Sequence, residues 1–159
     1  MDHQGIAPAV AYLGLGSNLG DCSWHIAEAI ARLRANDRIR VVRAATPIET
    51  APMYVEDQPR FLNTCIAIET TLDPFGLLDA IVQIEAAMGR ERTIDKGPRI
   101  IDIDILLFED RRIDEPGLTI PHPAMLERDF VLKPLAEIAG DLVHPVSGQT
   151  IREEASKLG

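Results

Sequence analysis

Two stretches of helical periodicity, each set between short strand-like runs, most constrain what this chain can fold into. The first follows Ser23, which reads as its N-cap, and places Ile26, Ala27, Ile30 and Leu33 on one stripe up to about Asn36. The second opens on Asp73 and Pro74, an N-cap followed by an N1 proline. It carries Leu77, Leu78, Ile81, Ile84, Glu85 and Met88 and stops at Gly89. Only Glu85 breaks that apolar stripe. Around the helices, "AVAYLGL" (9–15) ends at the turn-forming "GSNLGD", "RIRVVRAA" (38–45) alternates Ile39 and Val41 against Arg38 and Arg40, and "FLNTCIAIET" (61–70) is β-branched and aromatic. With a fourth strand in "GPRIIDIDILLF" (97–108), the order is β-α-β-β-α-β. That is the split arrangement of a ferredoxin-like α+β sandwich. The residues beyond 110 read as an extension with a short strand, a proline-bounded loop and a helix around 130–138.

The chain has 159 residues, 46% hydrophobic and 26% charged, which is enough to close one core and predicts a single domain over 1–159. Its formal net charge of -9 would repel a phosphate backbone, so a nucleic-acid partner is not expected and any phosphate site must be local. Cys22 and Cys65 lack the spacing of a zinc site or a disulfide framework and read as small core hydrophobes. No run is apolar enough to span a membrane and the N-terminus has no leader pattern, so the expected location is the cytosol. We expect a monomer.

The fourth strand poses the chemical question. Asp102 and Asp104 share one face, while Ile101, Ile103 and Ile105 point to the other. Their Cα atoms stand roughly 6.6 Å apart from strand rise alone, and two bare carboxylates at that separation repel by about 2.5 kcal/mol at an effective dielectric near 20. A hard cation such as Mg²⁺, shared with phosphate oxygens, relieves that repulsion. Taken alone, the pair also fits an edge strand with a solvated second face. Just before it, Arg90, Arg92, Lys96 and Arg99 crowd a loop of an otherwise acidic protein. Arginine forks match phosphate oxygens, although Glu91 and Asp95 also permit a solvated, locally paired surface loop. "PHP" at 121–123, with Arg128 beyond, adds an imidazole and a guanidinium. "GLGSNLG" fails as a dinucleotide fingerprint because position 19 is Leu, and no phosphate-binding P-loop is present. The long "TPIETAPMYVEDQPR" (46–60), with three prolines and no period, reads as a functional loop. Together with 89–98 it is expected to close over the bound reactants.

Five ordered segments resemble the 6-hydroxymethyl-7,8-dihydropterin pyrophosphokinase family of folate synthesis. They are "AYLGLGSNLGD", "DQPRFLN", "IEAAMGRER", "GPRIIDIDILLF" and "LTIPHPAMLERDFVLKPL". The resemblance implies a ferredoxin-like core and transfer of the β,γ-pyrophosphoryl group of ATP to the pterin hydroxymethyl oxygen, with release of AMP. It implies that Asp102 and Asp104 hold two Mg²⁺ ions and that Arg90, Arg92 and Arg99 neutralise phosphate charge. His122, Arg128, Ile105 and Thr119 would contact ATP. Thr50, Met53, Phe61, Asn63, Asp102 and Phe130 would hold the pterin, and Glu85 would make an internal bond near the site rather than take part in the chemistry. This chain departs from the family pattern at Lys96, where an aromatic is usual, and at Gly117 and Pro123. Two other readings use the same physics: a palm-like nucleotidyl transferase or cyclase, and a non-catalytic small-molecule sensor.

Overall fold

A computed structural model of the chain describes residues 7–51, 60–89 and 100–158. Its main sheet has strands β1 (Ala9–Ser17), β2 (Ile39–Ala44), β3 (Ile48–Thr50), β4 (Phe61–Thr70) and β5 (Asp102–Phe108). The order β2-β4-β1-β5 is antiparallel at every pairing, with β3 also on β4. β1 and β2 therefore flank β4, and β4 and β5 flank β1. Helices α1 (Cys22–Arg34) and α2 (Pro74–Ala87) make these two crossovers. Past β5, a hairpin of β6 (Ile113–Glu115) and β7 (Leu118–Ile120) turns through Pro116 and Gly117. Gly117 at φ 86° takes the left-handed position that such a turn requires. A short 3-10 turn at Met125–Glu127 leads into α3 (Asp129–Ala139), and α4 (Ile151–Leu158) follows. The expected α+β class holds, and among the described residues no helix is long and apolar enough to cross a membrane.

Two cores lie on the two faces of the sheet. On one, Leu13, Leu15, Ile66, Ile68, Ile103 and Ile105 meet Ile26 and Leu33 of α1 and Leu77 and Ile81 of α2. On the other, Cys65, Ala67, Leu106 and Leu107 meet Leu132, Leu135 and Ile138 of α3, with Ile151 of α4 behind. Burial pushes the Cys65 thiol up to about 12, which leaves it an inert packing group.

The alternation of β5 does not run unbroken. Its pairing with β1 shifts between Tyr12 and Leu13, leaving Leu106 as the extra residue of a bulge. Leu106 and Leu107 consequently enter the same core, and Phe108 returns to the core that holds Ile103 and Ile105.

Several boundaries differ from expectation. The N-cap of α1 is Asp21, whose carboxylate accepts from the Trp24 N–H at 3.1 Å; Ser23 already lies inside the helix, because Gly20 at φ 69° turns the chain earlier. β1 continues through Gly16 and Ser17, because Gly16 pairs with both Asn63 and Asp102. Cys22 opens α1 only half-buried and is not a core residue. The segment 46–60 is not wholly a loop, since three of its residues form β3 against β4, while 52–59 lie outside the described residues. The strand expected over 97–108 starts at Asp102.

Asp73 caps α2 as expected, accepting from the Gly76 N–H at 2.7 Å. Asp73→Ala should therefore cost about 1 kcal/mol, read as a lower denaturant midpoint with an unchanged m-value. An unshifted midpoint would show the cap to be energetically idle.

Candidate active site

Among the described residues, α3 covers only part of the sheet face on which it packs. Past the start of α3, strands β4, β1 and β5 carry a short cross-strand row: Asn63 on β4, Gly16 on β1 and Asp102 on β5, with Gly14 and Asp104 one step behind. Glycine in the middle strand leaves a trough between amide and carboxylate. A β-carbon at Gly16 would stand 2.7 Å from Asn63 Oδ1, whereas one at Gly14 would meet only Leu106 methyls at 3.5 Å.

Over this trough opens a cleft of about 800 Å³, open solvent included, lined by Thr50, Phe61, Asn63, Asp102, Asp104, His122, Arg128 and Phe130. Asn63 is buried, and its amide donates to Thr50 Oγ1 at 2.7 Å, which fixes the orientation of the amide. Phe61 and Phe130 are half-buried and present ring surface, and the Arg128 guanidinium lies 5.6 Å from the Phe130 ring centre.

A second compartment of about 690 Å³ lies beside the first and is lined by Leu78, Ile103, Ile105, Gly117, Thr119 and Pro123. Asp104 and His122 line both compartments. Two spaces, one lined by an amide and aromatic rings and one whose wall mixes aliphatic side chains with Thr119, thus meet at one carboxylate and one imidazole.

Burial and like charge dominate the electrostatics at that junction. Asp104 is held well above the usual carboxylate range, first by burial, then by the charge and hydrogen bond of Asp102 and the charge of Glu85, with Arg128 opposing. Burial and the nearby Arg128 push His122 the other way, below its ordinary value, against a smaller opposing pull from Asp102. Both effects favour the neutral imidazole. Its Nδ1 accepts from the Ala124 N–H at 3.2 Å, so Nε2 carries the proton and is a donor. Among the described residues no three His, Cys, Asp or Glu side chains converge as a ligand set. The protein thus offers a pair of carboxylates, a donor set that fits Mg²⁺ completed by water and phosphate oxygens.

Of the residues expected from sequence, Thr50, Phe61, Asn63, Asp102 and Phe130 come together in the first compartment. Ile105, Thr119 and His122 come together in the second. Arg128 borders the first compartment rather than the second. Met53, Arg90, Arg92, Lys96 and Arg99 lie outside the described residues. Sequence reasoning missed Gly14 and Gly16. The available signal was two glycines spaced by two inside a strand, which put a bare backbone on a single face.

A sequence profile for the family described as 7,8-dihydro-6-hydroxymethylpterin-pyrophosphokinase (HPPK) matches residues 12–140. The 2-amino-4-hydroxy-6-hydroxymethyldihydropteridine pyrophosphokinase of Methylorubrum extorquens is 49% identical over 148 residues, which cover 93% of this chain and 92% of that protein. Folic acid synthesis protein fol1 of Schizosaccharomyces pombe is 48% identical over 149 residues, 94% of this chain, but the chain spans only 20% of its length. The solved structure of Plasmodium falciparum HPPK-DHPS with pteroate superposes with a TM-score of 0.78 at 19% identity, covering 94% of this chain and 44% of that one. That last likeness concerns the fold alone.

Proposed function

The chain belongs to the 7,8-dihydro-6-hydroxymethylpterin-pyrophosphokinase family, and we propose that its cleft transfers pyrophosphate from ATP to 6-hydroxymethyl-7,8-dihydropterin, releasing AMP, as a step of folate biosynthesis. The observation that carries this reading is the pair of compartments joined at Asp104 and His122. A reaction between two bound molecules needs two spaces that share one charged boundary.

The first compartment suits the pterin. From the Asn63 strand to the Asp102 strand is two strand spacings, roughly 9.6 Å between main chains, which is wide enough for a flat bicyclic ring over the Gly16 backbone. Phe61 and Phe130 supply ring faces, and the Thr50-oriented amide of Asn63 supplies polar recognition at the edge. The second compartment takes the nucleoside end of ATP, with Ile105 and Thr119 in its wall. The triphosphate then crosses the junction. There neutral His122 donates from Nε2 and Arg128 supplies positive charge, and we assign Arg90, Arg92 and Arg99 to the same phosphates.

Asp102 and Asp104 would hold Mg²⁺, two ions in our reading, which neutralises phosphate charge and orients the polyphosphate when bound. The pterin hydroxymethyl oxygen attacks the β-phosphorus in line, the bond from that phosphorus to the α-phosphate oxygen breaks, and AMP leaves. Positioning and charge stabilisation supply the rate, so no protein nucleophile is required. The strand order supports the finer, ferredoxin-like description of the fold, and we take the chain as one pyrophosphokinase domain acting as a monomer.

Incubation of the protein with Mg-ATP and 6-hydroxymethyl-7,8-dihydropterin should yield AMP and the pterin diphosphate in equal amounts. Inorganic pyrophosphate released from several nucleotides without pterin would point to a nucleotidyl transferase. Tight pterin binding without turnover would point to a sensor.

A further inference from the structure

The acid that interrupts the apolar stripe of α2 reaches the other side of the site. Glu85, half-buried, accepts a hydrogen bond through Oε2 from the main-chain N–H of Ile103 at 2.8 Å. Ile103 stands between Asp102 and Asp104 in β5, which is the terminal strand of the order β2-β4-β1-β5 and, among the described residues, pairs with β1 alone. A terminal strand has one row of main-chain groups with no neighbouring strand to bond. Here the N–H at the centre of the carboxylate pair is taken by a side chain from a helix.

The anchorage of α2 makes this bond a fixed reference rather than a loose contact. Ile81, one turn before Glu85, is buried against the sheet, and Ile84 and Met88 pack on the same core. The helix cannot slide without opening that core. On its other side β5 faces β1, whose residues opposite Asp102 and Asp104 are two glycines that offer no side chain to pack against the carboxylates.

We propose that Glu85 is a positioning residue for the pyrophosphoryl transfer. Its carboxylate clamps the strand between the two aspartates to α2 and so sets the direction in which both carboxylates face the cleft. The inference rests on the reading of Asp102 and Asp104 as the Mg²⁺-holding pair, but the clamp itself is measurable in the metal-free protein.

The test compares Glu85→Ala with Glu85→Gln, since the amide oxygen of glutamine can still accept from Ile103. A misplacement of about 1 Å costs on the order of 10²-fold in rate, so Glu85→Ala should lose about that much kcat, with KM for ATP and pterin changed only a few-fold. In the same variant, the Ile103 amide should lose its protection from hydrogen exchange when no metal or substrate is present. Glu85→Gln should keep both the protection and most of the turnover. Unchanged kcat in Glu85→Ala, or an equal loss in Glu85→Gln, overturns the proposal. Should Glu85→Ala fail to fold, Glu85→Gln decides alone, retention of protection and turnover supporting the clamp and their loss refuting it. A wild type that forms no AMP from the pterin refutes the functional reading, while the exchange measurement still reports on the clamp.

Discussion

Asp104→Asn is expected to lower pyrophosphoryl transfer by at least about 10³-fold, the scale of several kcal/mol of lost charge stabilisation, while making the metal-free protein harder to melt. Both outcomes have one cause. Asp104 lines both compartments, so its carboxylate is placed to act on the polyphosphate wherever ATP and pterin meet. The same position buries it beside Asp102 and Glu85, which disfavours its ionised form. Asparagine keeps the shape and removes the charge.

The pH dependence follows in sign. A carboxyl held above its unfolded value stabilises the folded chain fully below that unfolded value and loses the contribution as pH rises through the folded one. With a chelator present, wild-type stability should therefore decline as pH rises above the ordinary carboxylate range, and the Asp104→Asn curve should be flatter. Parallel melting curves for the two proteins, or turnover close to wild type, would remove Asp104 from the role given to it here. Added Mg²⁺ should stabilise wild type and leave the variant unmoved, because binding to the native state alone raises stability by mass action.

Gly16→Ala should raise the KM for pterin by on the order of 10- to 100-fold, the range of about 1.4–2.8 kcal/mol of lost binding. The methyl would arrive 2.7 Å from Asn63 Oδ1 and 3.7 Å from the Phe61 ring, at the floor of the proposed pterin compartment. The Asn63 amide has little freedom to retreat, because its nitrogen is bonded to Thr50 Oγ1 at 2.7 Å. It must either break that bond, leaving a buried amide unsatisfied, or push into the cleft. Gly14→Ala is the matched control, since its methyl finds Leu106 at an ordinary contact distance. Equal KM values for the two variants would mean that the trough is not where the pterin lies. Nucleotide affinity should be nearly the same in both, because neither glycine borders the second compartment.

The sequence made the helices and the carboxylate pair legible because each rests on local periodicity. Leu77 and Ile81 are buried as the 3.6-residue stripe required, and Asp73 caps its helix. Asp102 and Asp104 share a face because alternation along a strand leaves no other choice. What stayed hidden depends on residues far apart in the chain. Gly16 looked like part of a turn because nothing local says that it will pair with Asn63 on one side and Asp102 on the other. β3 was invisible for the same reason, three residues between prolines that become a strand only because β4 offers an edge. Glu85 stood out as the one acid on an apolar stripe, and only the fold shows that its partner is a main-chain N–H eighteen residues further along.

The extra residue at Leu106 divides β5 into two half-strands of opposite phase. Ahead of it, even-numbered side chains look into the cleft and odd-numbered ones into the helix-covered core; behind it, Phe108 has crossed over. Deleting one residue at this point would force a choice between two failures. If Phe108 kept its place, both aspartates would turn into the hydrocarbon of the opposite core. If the aspartates kept theirs, Phe108 would be thrown out of its packing. The irregularity therefore works as a phase shifter, letting the reactive half of the strand and the structural half each keep the parity it needs.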